Sequence, residues 1–186
     1  MQPKEPCARQ GVFVAQRAAA LEVFGAESLK DIGGRVSPDT RRDTVDTSIV
    51  GEDWLPERYV LEWQHAVWTG PAKQDDRLFN QFLHSVIAQG FGRIRRFLLM
   101  MVTPALLLDR TAELWREEHT HGTLVSRVDG RSALLTLTDH PYASSFLAAR
   151  VMAESLRHAA SLSRTRQVTE THLVLPASLQ VKLSWS

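Results

Sequence analysis

The chain has 186 residues, of which 44% are hydrophobic and 23% are charged, a composition typical of a single globular domain. Its 22 Lys+Arg and 21 Asp+Glu give a formal net charge of +1, which argues against a nucleic-acid-binding protein, since such proteins carry a clear basic excess. The lone cysteine, Cys7, excludes an intramolecular disulfide. Residues 1–10 are polar and contain prolines, so we interpret them as a flexible lead. The remaining residues, 11–186, are predicted to form one domain.

The N-terminal half has the apolar spacing of helices. Residues 12 to 24 are predicted to form a first helix, because their apolar positions recur every three or four residues. Residues 43 to 51 have weak periodicity and are predicted to be an irregular loop. A further helix is predicted to begin at Pro56 and to end at Gly70, since proline is favoured in the first turn and glycine after the last.

A glycine-containing segment interrupts the next helical stretch. Residues 77 to 89 are predicted to form one helix, Gly90-Phe91-Gly92 to break it, and a second helix to start at the arginines that follow. Backbone N–H groups at a helix start, together with Arg side chains, can hold an anion. The candidate anion-binding residues are Arg93, Arg95 and Arg96. The alternative is a solvated helix face whose arginines form ion pairs.

The longest apolar run is too short to cross a membrane. It extends from Phe97 to Leu108 and contains Pro104, whereas a membrane-spanning helix needs about 20 apolar residues. The N-terminus has no apolar stretch of the kind found in secretory signals. These patterns predict a cytoplasmic protein without a membrane partner.

The C-terminal half changes to the two-residue period of strands. Asp129-Gly130 between two such segments predicts a hairpin, in which Val128 would pair with Arg131. One face of this hairpin would carry Leu124, Ser126, Val128, Ala133, Leu135 and Leu137. A helix over residues 143 to 161 and a second hairpin over residues 167 to 185 follow. The predicted class is therefore α+β, a helical N-terminal half followed by hairpin–helix–hairpin with an antiparallel sheet.

Three histidines near the first hairpin are candidate metal ligands. His119 and His121 precede its first strand, and His140 follows its second, so the hairpin would bring them to one end. Imidazole nitrogens of this kind can hold zinc. The alternative is a surface loop with histidines near the end of a helix, where the helix dipole favours them. Glu170 and His172 share a face of a later strand and are interpreted as an exposed polar ladder.

This order of elements resembles the haem-nitric-oxide-binding (H-NOX) fold and, at the hairpin–helix–hairpin unit, sensory domains of the vinyl-reductase type. A nearer resemblance is to a paralogous family, without an assigned activity, that is expanded in myxobacteria and related delta-proteobacteria. The segments that carry the resemblance are RAAALEVFG at 17–25, the helix from Phe82 to Gly90, Thr103-Pro104 before LLLDRTAELW, HGTL at 121–124, DHPY at 139–142 and VKLSW at 181–185.

The resemblance implies a ligand cavity but no haem. Haem-binding members place a proximal histidine on the helix before the first hairpin, where this chain has Leu114 or Trp115. They also carry a Tyr-x-Ser-x-Arg motif at the end of that hairpin, and this chain reads LTDHP at 137–141. We therefore expect no haem and no other cofactor. The residues that the resemblance suggests as lining a ligand cavity are Trp63, Phe82, Leu107, Trp115 and Phe146.

Relatives of this kind bind ligands or partners rather than catalyse reactions, and no catalytic triad stands out in the chain. The resemblance therefore predicts a non-catalytic sensory, regulatory or protein-interaction module that binds a small ligand between helices and sheet or docks an unidentified protein. The alternatives are a metal-binding protein or enzyme that uses the three histidines, and a dimeric structural subunit. A homodimer is compatible with each of these hypotheses.

Overall fold

The structure is a computed structural model that describes residues 5–47, 53–99, 102–163, 165, 167–176 and 178–186, with the helical backbone alone for residues 91–99. The chain divides into two compact units, Met1–Gly90 and Phe91–Ser186. Helices and antiparallel strands are both present, so the predicted α+β class is confirmed. The single domain predicted over residues 11–186 stays a prediction.

Within the flexible lead predicted for residues 1–10, the described residues, which start at residue 5, contain a short strand. Strand β1, Cys7–Arg9, pairs antiparallel with β2, Trp54–Pro56. Cys7 and Ala8 are buried. The Glu57 amide donates to the Pro6 carbonyl at 2.8 Å. A strand of three residues is too short to show a two-residue period, and its partner lies far along the chain. The sequence pattern therefore does not predict this strand.

Helices make up most of the N-terminal unit. Gly25 ends the first of them with a φ of 81°, in the region that favours glycine. The Ser37 hydroxyl accepts a hydrogen bond from the Thr40 amide and caps the third. Large side chains from several helices are fully buried and form the core of this unit, among them Phe13, Trp63, Phe79 and Phe82. The helices are α1 Gln10–Phe24, α2 Glu27–Gly33, α3 Pro38–Arg41, α4 Glu57–Thr69 and the first part of α5, Asp76–Leu99.

The prediction of an irregular loop over residues 43–51 is wrong for residues 43–46. Arg42–Asp46 forms a π-helical turn that continues directly from α3. Thr44 and Val45 of this turn are buried, so packing fixes a conformation that the local sequence does not favour. Residues 48–51 lie outside the described residues.

The predicted break at Gly90-Phe91-Gly92 is also wrong. Helix α5 runs without interruption from Asp76 to Leu99. Glycine in a helix interior costs about 1 kcal/mol relative to alanine, a cost that the rest of a 24-residue helix outweighs. Two glycines in close succession therefore do not end this helix.

In its described residues, the C-terminal unit combines the end of α5 and three further helices with a four-stranded antiparallel sheet of order β3-β4-β6-β5. Thr103 caps the first of these three helices by accepting from the Leu106 amide at 3.3 Å, and Ser145 caps the last by accepting from the Ala148 amide at 3.4 Å. The core lies between these helices and one face of the sheet. The elements after α5 are α6 Pro104–Asp109, α7 Thr111–Glu118, β3 Thr123–Asp129, β4 Ser132–Thr138, α8 Phe146–Ser161, β5 Val168–Leu175 and β6 Ser178–Trp185.

The first hairpin has the predicted faces but not the predicted register. Asp129 pairs with Ser132 and Val128 pairs with Ala133, so the turn is Gly130-Arg131 rather than Asp129-Gly130. Gly130 takes a φ of 54° at the first turn position, a conformation that suits glycine there. Because a shift of two residues keeps every side chain on its face, the apolar face was still predicted correctly. Buried or half-buried residues on it are Leu124, Ser126, Val128, Ala133, Leu135 and Leu137.

The opposite face of the sheet exposes several large apolar side chains. Val125 is 45% exposed, Leu134 38% and Leu173 55%. No helix in the described part of the chain has the length and apolar character needed to span a bilayer.

Candidate functional site

A cluster of aromatic and histidine rings lies where α7 ends in the C-terminal unit. His119 follows the last residue of α7, and its amide donates to the Trp115 carbonyl at 2.9 Å. The backbone of His119 is extended, and its ring stacks on the Trp115 indole with 3.9 Å between centroids and 12° between planes. The helix end therefore holds an imidazole flat against an indole.

His140 reaches the same cluster from the connection between β4 and α8. Its ring lies edge-on to Trp115, with 5.4 Å between centroids, and 5.8 Å from the ring of Tyr142. Gly122 makes this approach possible, because a Cβ there would lie 3.1 Å from both Cβ and Cδ2 of His140. Gly122 also has a φ of 84°, so the turn into β3 needs glycine for two independent reasons.

Two of the three predicted metal ligands come together, and the third does not. The rings of His119 and His140 are 6.3 Å apart between centroids and nearly perpendicular. One ring nitrogen from each lies within 4.8 Å of the other. His121 is not part of this group: its Nδ1 lies 2.8 Å from the Thr120 hydroxyl, and its carbonyl accepts from Trp115 Nε1 at 3.1 Å. His119 and His140 therefore come together without His121, and metal binding by these histidines stays a prediction.

The residues predicted to line a ligand cavity fall into both units. In the N-terminal unit, Trp63 and Phe82 are fully buried, and Trp63 Nε1 donates to the Thr44 hydroxyl at 2.7 Å. In the C-terminal unit, Leu107 is buried, and Trp115 belongs to the ring cluster. Phe146 is 73% exposed at the first position of α8. This exposure does not support the prediction that Phe146 lines a cavity.

The predicted anion site at Arg93, Arg95 and Arg96 lacks the helix start that it requires. These residues belong to the interior of α5, which begins at Asp76. Inside a helix the backbone N–H groups donate to carbonyls one turn earlier, so they cannot bind an anion. The arginine side chains lie outside the described residues.

A second polar group in this unit, the ion network, consists of Glu154, Arg157, Glu170 and His172. Arg157 Nε donates to the Glu154 carboxylate at 2.8 Å, and His172 Nδ1 lies 3.2 Å from the Glu170 carboxylate. Hydrogen bonding to Glu154 raises the pKa of Arg157, burial opposes this, and the charges of Glu154 and Glu170 add to it. The charge of Glu170 on β5 therefore acts on Arg157 of α8.

The ion network corrects the interpretation of Glu170 and His172 as an exposed ladder. Their side chains are only 22% and 24% exposed. Both alternate along β5 in step with Val168 and Val174, which pack on the core. In the sequence, the alternation with Val168 and Val174 indicated that Glu170 and His172 face the core. Their polar residue types nevertheless favoured the prediction of an exposed face.

Comparisons with known proteins identify the fold. No protein-family model matches the chain, and no curated protein does. Among solved structures, the Fe(II) unliganded H-NOX protein from K. algicida has a TM-score of 0.64 at 11% identity, and an alanine-to-glycine mutant of that protein has 0.66 at 10%. An H-NOX protein from S. oneidensis in the Fe(II) ligation state, a triple mutant, has 0.67 at 10%. The match covers 96% of this chain and 96% of each of those chains.

The chain has an H-NOX-like fold. At this level of identity the similarity establishes the fold alone, and it confirms the resemblance seen in the order of elements. In this H-NOX-like chain, α7 is the helix that precedes the first hairpin. It contains no histidine, and the first histidine after it, His119, stacks its ring on Trp115.

Proposed function

We propose that the chain is a non-catalytic sensory or regulatory module with an H-NOX-like fold that holds no haem. The observation that carries the proposal is the ring cluster at the end of α7. The position where the resemblance implies an iron ligand is Leu114 or Trp115, and the Trp115 indole is engaged by the ring of His119 and the carbonyl of His121. Neither a leucine nor a tryptophan side chain provides a ligand for haem iron.

The same cluster supports binding rather than catalysis. Aromatic faces and imidazole nitrogens provide apolar contact together with a few directed polar groups, the combination typical of small-molecule sites. A ligand or partner protein that contacts the cluster in one conformer better than in another shifts the population toward that conformer. Such a shift is the regulatory output that we propose for this module.

An absorbance spectrum combined with native mass spectrometry tests this proposal. The full chain is produced with a haem precursor supplied and is purified without chelators. We expect no Soret band and a mass that exceeds the polypeptide mass by a small retained ligand or by a bound protein. A Soret band with one equivalent of haem would overturn the haem-free proposal. A chain that retains no ligand, binds no partner and forms no dimer would overturn the sensory one.

The exposed apolar face of the sheet favours a second candidate function, that of a dimeric structural subunit. Val125 and Leu173 lie at the two ends of one row of cross-strand partners, and Leu134 lies in the adjacent row. All three are substantially exposed, although large apolar side chains usually pack in a core or an interface. Light scattering on the wild type and on Leu134→Lys discriminates the two functions. A dimer that becomes a monomer on substitution supports the structural subunit, whereas a wild-type monomer at high concentration excludes it.

A further inference from the structure

We propose that His119 and His140 are protein ligands of a divalent transition-metal site in the C-terminal unit. The observation is the approach of one ring nitrogen from each to within 4.8 Å of the other. The site belongs to the ring cluster of the proposed function, but titration of the chain with metal alone tests it without an organic ligand.

The separation of these nitrogens is close to what one ion requires. Zinc binds imidazole nitrogens at about 2.0–2.1 Å, which places two nitrogens of a tetrahedral ion about 3.3 Å apart. Closing a gap of at most 4.8 Å takes a movement of up to about 1.5 Å, which small side-chain rotations provide. The Tyr142 amide donates to His140 Nδ1 at 3.4 Å, a long and therefore weak hydrogen bond whose loss on metal binding costs little.

The surroundings hold both rings in place before a metal arrives. The Trp115 indole supports the ring of His119 at 3.9 Å. His140 is confined by Trp115, by Tyr142 and by the closely packed backbone at Gly122. Metal sites depend on such supporting contacts, since they fix the ring orientation that the metal uses.

The electrostatics of the site favour a cation. His119 lies at the C-terminal end of α7, where the helix dipole contributes partial negative charge. Imidazole ligands suit Zn²⁺, Cu²⁺ and Ni²⁺, whereas Mg²⁺ and Ca²⁺ prefer oxygen. Two imidazoles do not complete the coordination of such an ion, so the remaining positions take further donor atoms.

Titration with ZnCl₂ tests the site directly. The full chain is freed of metal with a chelator, and binding is measured by calorimetry and native mass spectrometry. We expect one Zn²⁺ per chain for the wild type. His119→Gln and His140→Gln should each weaken binding by more than about 10-fold, since even supporting residues outside the ligand set contribute that much. His121→Gln is the matched control, and its affinity should stay within about 2-fold of wild type, because His121 lies outside the group.

A second measurement on the wild type keeps the test valid if a variant fails to fold. In ¹⁵N spectra of histidine-labelled protein, two of the seven histidine rings should shift with one equivalent of Zn²⁺. Cu²⁺ should also quench tryptophan emission in the wild type, and quench it much less in Trp115→Phe, because Trp115 is the indole stacked on His119.

Three outcomes would overturn the site. They are the absence of Zn²⁺ binding by the wild type, undiminished binding by the double variant His119→Gln/His140→Gln, and a loss in His121→Gln as large as in the other two variants. Shifts spread over all seven histidine rings would count against it in the same way.

Discussion

The C-terminal unit contains two histidine environments that differ in what surrounds the ring. His119 and His140 lie against the rings of Trp115 and Tyr142. His172 lies against the Glu170 carboxylate, whose charge also acts on Arg157 of the Glu154–Arg157 pair. The first environment brings two imidazole nitrogens near each other, whereas the second places an imidazole nitrogen beside a row of charged groups.

Burial of a histidine alone therefore does not indicate a binding site. Glu170 holds His172 by a hydrogen bond with ionic character, which stabilises the packing of a strand on a helix. The aromatic faces beside His119 and His140 position these rings through contacts with the ring planes and edges. The two environments can therefore be perturbed separately, since they share none of the residues described above.

Gly122→Ala is expected to have the largest effect, and among the two histidine environments it acts on the His119–His140 pair. The new Cβ would lie 3.1 Å from two atoms of His140 and from Leu137 Cδ1, and the residue would keep a φ of 84°. A left-handed conformation and overpacking together should lower the free energy of unfolding by about 3 kcal/mol. Chemical denaturation measures this loss, and calorimetry should show weaker Zn²⁺ binding.

Gly130→Ala is the matched control for that substitution. Gly130 also has a positive φ, 54°, but nothing lies within 4 Å of a Cβ placed there. Only the backbone penalty applies, about 1–2 kcal/mol, and Zn²⁺ affinity should not change. If both alanine variants lost the same stability and neither affected Zn²⁺ binding, the packing of Gly122 against His140 would have no role in the site.

Arg157→Met breaks the ion network instead of the histidine pair. The substitution leaves the Glu154 carboxylate, whose side chain is 10% exposed, without its bidentate partner. A buried charge that loses its partner is strongly destabilising, and partial exposure of Arg157 reduces the effect here to about 2 kcal/mol. Thermal or chemical unfolding measures the loss, while Zn²⁺ binding should be unaffected.

Arg110→Met provides the exposed counterpart in the same unit. Arg110 and Glu113 form an ion pair at 2.7 Å, with side chains 63% and 52% exposed. Removing such a pair should change the free energy of unfolding by much less than Arg157→Met does, because solvent screens exposed charges. Equal losses in Arg110→Met and Arg157→Met would show that burial does not distinguish the ion network from an ordinary surface pair.

Trp115→Phe should have a smaller effect on stability but a specific effect on the ring cluster. The variant loses the hydrogen bond from Nε1 to the His121 carbonyl and part of the stacking surface under His119. These losses amount to about 1 kcal/mol. Zn²⁺ binding by calorimetry should persist, since phenylalanine still supports the ring. Complete loss of Zn²⁺ binding in a folded Trp115→Phe variant would show that the indole has a larger role than support.

Much of the C-terminal unit could be predicted because strand periodicity reports a side chain's face. Leu124, Leu135 and Leu137 face the core as predicted, although the register was wrong by two residues. Register depends on which two residues form the turn, and Asp129-Gly130 and Gly130-Arg131 satisfy the same local preference. Only pairing along the whole hairpin discriminates between these two turns.

The N-terminal unit and the candidate site were harder to predict because they depend on contacts between distant residues. The strand at Cys7–Arg9 exists through its partner at Trp54–Pro56. The grouping of His119 with His140, without His121, depends on the ring of Trp115 and on the space left by Gly122. Sequence spacing placed all three histidines at one end of a hairpin, but it could not show which way each ring turns.

The Glu170–His172 contact is expected to make the smallest contribution to the free energy of unfolding. A double-mutant cycle of Glu170→Gln and His172→Gln should give a coupling of about 0.5 kcal/mol near neutral pH, because the pair is a half-buried single contact. Added salt should reduce the coupling, since it screens the charge of Glu170. The equivalent cycle of His119→Gln and His140→Gln in chelator-treated protein should show no salt dependence, because no ion pair joins these two rings. A salt-independent Glu170–His172 coupling would mean that packing stabilises both pairs. The charge of Glu170 would then contribute nothing to the coupling free energy.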